Sequence, residues 1–223
     1  MPTLNFTAGT ADSNTGKSGT SWATARADAT TSGSYHNNSA STGSFGVYNL
    51  YSGGRGGNTY YCRRSYIPFN LTLGSGTATG AEVSLYLDNL GSTGDNSRVI
   101  LVEATSLDGS TADHGNCFSS GTTLGTTLSD IVSVSTTAGY HTFTLNSDGI
   151  AAINDDLGSG TITMALIGYT NDHQNSAPSL GGASTKIYLR YANYSGTSSD
   201  PKMEVTTAAA AVTSNATFFG TNF

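Results

Sequence analysis

From Arg63 to Thr206 the chain is a succession of strand-like stretches separated by turn formers, with little helical period to compete with them. Glu82-Val-Ser-Leu-Tyr-Leu-Asp88 sets Val83, Leu85 and Leu87 on one face at period two, and Tyr140-His-Thr-Phe-Thr-Leu145 alternates in the same way. Arg98-Val-Ile-Leu-Val-Glu103 is an unbroken apolar run, as expected of a strand buried on both faces, and Thr161-Ile-Thr-Met-Ala-Leu-Ile-Gly-Tyr169 is the strongest strand signal. A chain of this kind is expected to be all-β: a jelly-roll-like antiparallel β-sandwich of two packed sheets, with at most a turn or two of helix.

Composition supports that reading and narrows the partners. Nine Lys and Arg with fifteen Asp and Glu are the only formally charged side chains among 223, whereas Ser, Thr and Gly together number 92. The surface is therefore expected to be hydroxyl and backbone rather than ion pairs. Net charge is −6, and the one local basic pair is Arg63-Arg64, so the clustered basic face that binds nucleic acid is missing. No run approaches the roughly eighteen apolar residues of a membrane span, so neither a spanning helix nor a membrane partner is expected. The start Met-Pro-Thr-Leu-Asn-Phe shows neither a basic nor an apolar signal region, so synthesis in a cytoplasm is expected. That origin disfavours a disulfide between Cys62 and Cys117, and buried free thiols are the expected state.

Three zones divide the chain. Residues 1–58 are poor in apolar periodicity except at Phe45-Gly-Val-Tyr-Asn-Leu-Tyr51, and are expected to be a low-complexity arm with one or two strands. Residues 59–206 carry the sandwich, with Pro68 pointing to an edge or bulge in its first strand. Within it, residues 105–130 form a long Gly/Ser/Thr connection of the sort that contacts partners, and Ser147 or Asp148 is placed to cap one helical turn over 150–153. Residues 207–223 form a tail ending in Phe218-Phe-Gly-Thr-Asn-Phe223.

The order of segments carries a family likeness. Arg64-Ser-Tyr-Ile-Pro-Phe-Asn-Leu71 is followed by Ala81-Glu-Val-Ser-Leu-Tyr-Leu87, then Arg98-Val-Ile-Leu-Val102, then His141-Thr-Phe-Thr-Leu145, and Pro201-Lys-Met-Glu-Val205 closes the set. This pattern over about residues 60–206 resembles the DNRLRE-type modules, which are jelly-roll sandwiches related to carbohydrate-binding modules. The resemblance implies the sandwich fold and a glycan as a possible partner. In place of the Trp-rich segment usual after the third strand stands Leu107–Asp130.

Motifs of catalysis and ligation are faint. Gly16-Lys17-Ser18 lacks the Gly at position 11 and the preceding strand of a phosphate-binding loop, so it is read as an exposed turn. His36, His114, His141 and His173 are scattered, and neither Asp113-His114 nor Asp172-His173 has a second ligand in frame. Asp108…Asp113 and Asp155-Asp156 offer loop carboxylates for calcium without EF-hand spacing. Glu82, Glu103 and Glu204 all lie in strands, and no Gly-x-Ser-x-Gly elbow is present. The expectation is no catalytic residue, no metal and no cofactor.

Twelve tyrosines with few Lys and Glu suit a protein interface. The functional expectation is a structural virion protein of a tailed bacteriophage, either a capsid decoration protein or a tail or fibre component. It would pack on copies of itself or on major capsid or tail proteins. Phe218, Phe219 and Phe223 are the expected partner contacts. A non-catalytic carbohydrate-binding module or adhesin is the alternative, and a polysaccharide-degrading sandwich enzyme is the third.

Overall fold

The computed structural model describes residues 2–28, 32–37, 44–54, 57–92, 94–179 and 184–209. The strands are β1 (Thr3–Thr7), β2 (Ser13–Gly19), β3 (Tyr35–Asn37), β4 (Ser44–Gly54), β5 (Gly57–Asn70), β6 (Ala78–Asn89) and β7 (Arg98–Ala104). They continue as β8 (Phe118–Ser120), β9 (Thr123–Leu124), β10 (Val132–Ser133), β11 (Gly139–Thr144), β12 (Thr161–Gly168), β13 (Thr185–Leu189) and β14 (Lys202–Thr207). Two α-helices, α1 (Trp22–Arg26) and α2 (Ser147–Asp156), complete the set with three short 3-10 or π turns. All strands except the β8–β9 ribbon join one antiparallel network, ordered β1-β14-β6-β13-β4-β5-β12-β7-β10, with β11 on β6 and β2 on β5.

This network folds over as two layers of a jelly-roll-like antiparallel sandwich. One layer is β1-β14-β6-β11; the other is β2-β5-β12-β7-β10; and β4 with β13 bridges them at one end. Val83, Leu85 and Leu87 of β6, Phe143 of β11 and Met203 and Val205 of β14 enter the same core as Ile67 and Phe69 of β5, Leu101 of β7 and Met164 and Leu166 of β12. The period-two face read from residues 82–88 is thus the inward face of β6.

The second layer is covered on both sides, as its unbroken apolar runs demand. Ile100 and Val102 of β7 and Ala165 and Ile167 of β12 point away from the main core and meet Cys117 and Phe118. The 105–130 connection supplies this cover. It folds into a 3-10 turn over Thr111–Gly115 and the β8–β9 ribbon, and it lies so close to β7 that a side chain at Gly125 would strike the Glu103 carbonyl.

Residues 1–58 are not the irregular arm expected. β1 pairs along β14, β2 along β5, and β4 and β5 are two arms of one hairpin through Gly54↔Gly57. β2, Ser-Asn-Thr-Gly-Lys-Ser-Gly, has no apolar residue, so hydropathy could not reveal it. Its order comes from ladder hydrogen bonds to β5, whose edge it covers. Gly16 in that ladder leaves room for Arg63, whose Cγ would lie 2.7 Å from a Cβ placed there. The Gly16-Lys17-Ser18 segment is therefore strand rather than exposed turn, and Lys17 Nζ donates to the Ser32 carbonyl at 3.0 Å.

Two other boundaries move. α2 is ten residues long, not one turn, and its cap is Asn146, whose Oδ1 accepts from Gly149 N at 2.9 Å. β14 runs to Thr207, and Ala208 N still donates to Thr77 O at 2.9 Å, so the sandwich extends past residue 206. Phe218, Phe219 and Phe223 lie outside the described residues. At Pro68 the ladder to β2 has ended, the last pair being Ser13↔Tyr66, and Pro68 offers only its carbonyl to Gly9 N at 3.1 Å. That side of β5 carries no regular ladder there, only the isolated Ala8↔Phe69 bridge, so the missing N–H of Pro68 interrupts no strand pairing.

Candidate functional site: an open sheet face opposite a sealed charge cluster

Strongly perturbed ionisable groups gather under the cover of the second layer. Arg64, on the outward parity of β5, has no exposure. Its Nε donates to Asp172 Oδ2 at 2.6 Å and its Nη2 to Asp172 Oδ1 at 2.9 Å; Nη2 also reaches the Arg26 carbonyl and Nη1 the His114 carbonyl, each at 2.7 Å. Asp172, in the π turn after β12, also receives Arg26 Nε, 3.2 Å from Oδ1, while the same nitrogen donates to the Asp172 carbonyl at 2.8 Å. The Phe118 ring faces both guanidinium carbons, at 4.8 Å from Arg64 and 5.0 Å from Arg26. Burial alone would raise the Asp172 carboxyl, but the charge and hydrogen bonds of Arg64, helped by Arg26, hold it below the ordinary range.

His114 and the thiols complete the cluster. His114 Nδ1 lies 3.2 Å from Thr15 Oγ1 and Nε2 lies 3.3 Å from the Ala25 carbonyl. The neutral tautomer with Nε2–H donating to Ala25 and Nδ1 accepting from Thr15 satisfies these two contacts, whereas Arg64 Nη1, 3.4 Å from Nε2, favours the other tautomer, with Nε2 accepting and Nδ1–H donating to Thr15. Burial, reinforced by the Arg64 charge, pulls His114 down to about 3, so the ring is neutral in ordinary buffers. Cys62 and Cys117 are free and buried, and burial pushes both thiols up. A nucleophile or proton carrier must reach a substrate, whereas Arg64, Asp172 and His114 have no exposure. What this cluster does is tie five separate segments together: α1, β5, the 111–115 turn, Phe118 of β8 and the 169–173 turn.

The open site lies on the other layer, whose outward face is solvated. Across β1-β14-β6-β11 one row reads Asn5, Glu204, Glu82, Thr144; the next reads Thr7, Lys202, Ser84, Thr142. Tyr86 and Tyr140 follow, paired across β6 and β11 with ring centroids 5.5 Å apart at 76°. Arg190 lies 4.2 Å over Tyr86 and 4.5 Å over Tyr194, and Lys202 Nζ lies 4.6 Å over Tyr140. A cleft of about 700 Å³, lined by Glu82, Glu204, Thr144, Thr206 and the start of α2, opens at the acidic end. Glu82 and Glu204 are exposed neighbours on the floor of one sheet. Glycoside hydrolysis places two carboxylates on either side of a bond, and a side-by-side pair on one floor does not.

A second aromatic group decorates the β4–β5 hairpin where it runs beyond β12. Tyr48 meets Tyr61 edge-on at 6.1 Å, and Arg63 lies over Tyr35 and Tyr48 at 4.8 and 5.5 Å. On the opposite face Tyr51 stacks on Tyr60 at 4.6 Å, and Trp22 lies 6.5 Å from Tyr60. Arg63 and Arg64 are thus sent to opposite faces by strand parity, one among tyrosines and one into the interior.

The remaining sequence candidates are accounted for locally. Asp113 accepts from Asp108 N and Asn116 Nδ2 through Oδ1 and from Gly109 N through Oδ2, so the Asp108…Asp113 loop is closed by its own hydrogen bonds. His173 stacks on Tyr169 at 5.3 Å and its Nε2 lies 3.2 Å from Thr127 Oγ1. His141 Nε2 accepts from Ser135 N at 3.1 Å. Asp155 and Asp156 end α2. Among the described residues no three His, Cys, Asp or Glu side chains converge as metal ligands, and no helix is long and apolar enough to cross a membrane. The Arg26–Arg64–Asp172 cluster was not legible as a site; its one sequence signal was a rare cation at the same strand parity as Cys62 and Tyr66.

No family model matches the chain, and no curated protein matches it.

Proposed function

We propose that the chain is a structural protein of a virus particle of the tailed-bacteriophage kind, a capsid decoration protein or else a tail or fibre component, acting by packing on copies of itself or on capsid or tail proteins. The observation that carries this reading is the tyrosine-faced β4–β5 hairpin. Tyr48, Tyr51, Tyr60 and Tyr61 are half-buried on the isolated chain and packed in pairs, one edge-on and one tilted, which presents large, rigid, amphipathic area at little entropic cost. The chain as a whole holds only three Lys and three Glu, the residue types depleted at interface cores. The test is co-purification: the chain should band with intact particles at fixed stoichiometry, and Tyr51→Ser with Tyr61→Ser should reduce occupancy while the free protein stays folded. A chain that remains monomeric and particle-free would reject the proposal.

A second reading, a non-catalytic carbohydrate-binding module or adhesin, is favoured by the open face with Tyr86, Tyr140 and Arg190. A glycan array separates the two: binding that is lost in Tyr140→Ala, with no particle association, selects the carbohydrate reading.

A further inference from the structure

β1 stands at the end of the strand order and pairs, among the described residues, with β14 alone. Thr207 N donates to the Pro2 carbonyl and Ala8 N to the Pro201 carbonyl, both at 3.0 Å, so the even-numbered residues of β1 turn their backbone groups toward β14. The N–H and carbonyl groups of Thr3 and Asn5 are therefore directed to the outer edge. At its far end β1 meets β5 through the Ala8↔Phe69 bridge, and no ladder continues that bridge toward Thr3. Instead a cleft of about 450 Å³ opens there, lined by Leu4 to Thr7 and by Asn70, Thr72 and Leu73 at the end of β5. Leu4 and Phe6 are half-buried against the main core, while Leu73 is 95% exposed. A sheet edge with outward donors and acceptors beside an apolar cleft is a template for one more strand.

We propose that this cleft receives the C-terminal tail of a second copy of the chain, residues 212–218 adding to β1 as an antiparallel strand. The tail, which lies outside the described residues, alternates in sequence: Val212, Ser214, Ala216 and Phe218 share one face at period two, and Thr213, Asn215 and Thr217 share the other. Laid along β1, the first set fills the cleft over Leu4, Phe6 and Leu73, and the second continues the polar face of Thr3, Asn5 and Thr7. Neither the cleft lining nor residues 208–223 include a charged side chain, so no ion has to shed its water. β14 runs antiparallel to β1, so the chain's own tail, reversing after Ala209 to reach the outer edge, would lie parallel to β1, the weaker pairing. A tail from another copy enters antiparallel. Residues 210–223 can extend by up to about 45 Å, enough to leave one copy and lie along the next. The docking rests on the reading of the chain as one that packs on its own copies, and it names the surface and the segment that meet.

The experiment uses the isolated full chain with no particle present, so its failure is distinct from a failure of particle association. Sedimentation over a concentration series should show self-association that Leu73→Asp, Asn5→Pro and Phe218→Ser each weaken at least about tenfold. Leu73→Asp alters an exposed side chain and Asn5→Pro removes an N–H at the outer edge, so both variants should keep the Tm of the unaltered chain. Leu90→Asp, an exposed position just past the far end of β6, should associate normally. Mixing a Leu73→Cys chain with a Phe218→Cys chain under an added thiol oxidant should give a disulfide-linked dimer, the Cys62 and Cys117 thiols being buried. If a chain carrying both substitutions instead closes the bond on itself and runs as a monomer, the proposal is overturned in favour of a chain that covers its own edge. A chain that stays monomeric at every concentration overturns it too. Association that survives Leu73→Asp and Asn5→Pro also overturns it and moves the contact to another surface. Should Asn5→Pro fail to fold, Leu73→Asp and the mixed cross-link still decide.

Discussion

Arg64 and Asp172, 108 positions apart in sequence, are joined by hydrogen bonds of 2.6 and 2.9 Å with neither side chain exposed. Of the remaining guanidinium donors, two go to backbone carbonyls of α1 and of the 111–115 turn, so the pair fixes the cover over the second layer. Removing one partner of such a pair leaves a buried charge uncompensated. Asp172→Ala should therefore cost about 3–5 kcal/mol in urea unfolding. Arg64→Lys, which lacks the planar fork, should also destabilise measurably. Asp95→Ala, which deletes the solvent-exposed pair with Arg98 at 3.0 Å, should cost under about 1 kcal/mol. Equal losses in Asp172→Ala and Asp95→Ala would contradict the role assigned to the clasp.

Acid should loosen the same region first. His114 is pulled from 6.5 down to about 3, so below pH 6.5 the unfolded chain binds a proton that the folded chain refuses. The stability this group contributes is complete above pH 6.5 and is lost as pH falls toward 3. Asp172, whose carboxyl is also held low, acts in the same direction at the acid end of that window. Over the whole window the His114 contribution is of the order of a few kcal/mol. Asp12, whose carboxyl burial pushes up to about 7, acts in the opposite direction over the same range, so the His114 effect is read as a difference: between pH 7 and 4 the Tm of His114→Gln should fall less, or rise more, than that of the unaltered chain. An unchanged slope in the variant would assign the acid sensitivity elsewhere.

Both thiols should be inert in the native protein. Cys62 and Cys117 have no exposure, and burial disfavours the thiolate that attacks reagents. A chromogenic disulfide reagent should therefore find no reactive thiol until denaturant is added, then both. Rapid reaction of the native chain would show that the cover over β5 opens readily.

Truncation separates folding from assembly. Ala208 N still bonds within the sandwich, so a cut that removes 210–223 spares every described hydrogen bond of β14. Melting temperature should change little, while attachment to particles should fall if Phe218, Phe219 and Phe223 are the partner contacts proposed for them. Burying a Phe contributes roughly 1.5–3 kcal/mol, so the loss of three should be plain in a binding assay. Normal assembly of the truncated chain would remove the tail from the interface, and failure to fold would place those rings in the protein's own core.

What sequence alone determined were the elements whose burial is periodic. Val83, Leu85 and Leu87 declare the inward face of β6 because an antiparallel strand with one wet side must alternate. The run Val99 to Val102 declares a strand covered twice because no face is left polar. Only the tertiary structure decided the rest. β2 carries no apolar residue and exists because β5 offers a ladder to it, an interaction between positions some fifty residues apart that local pattern cannot encode. The same holds for the charge clasp. Arg64 and Asp172 look like ordinary surface residues until the fold removes water from around them, and desolvation is a property of the packed chain rather than of any segment of it.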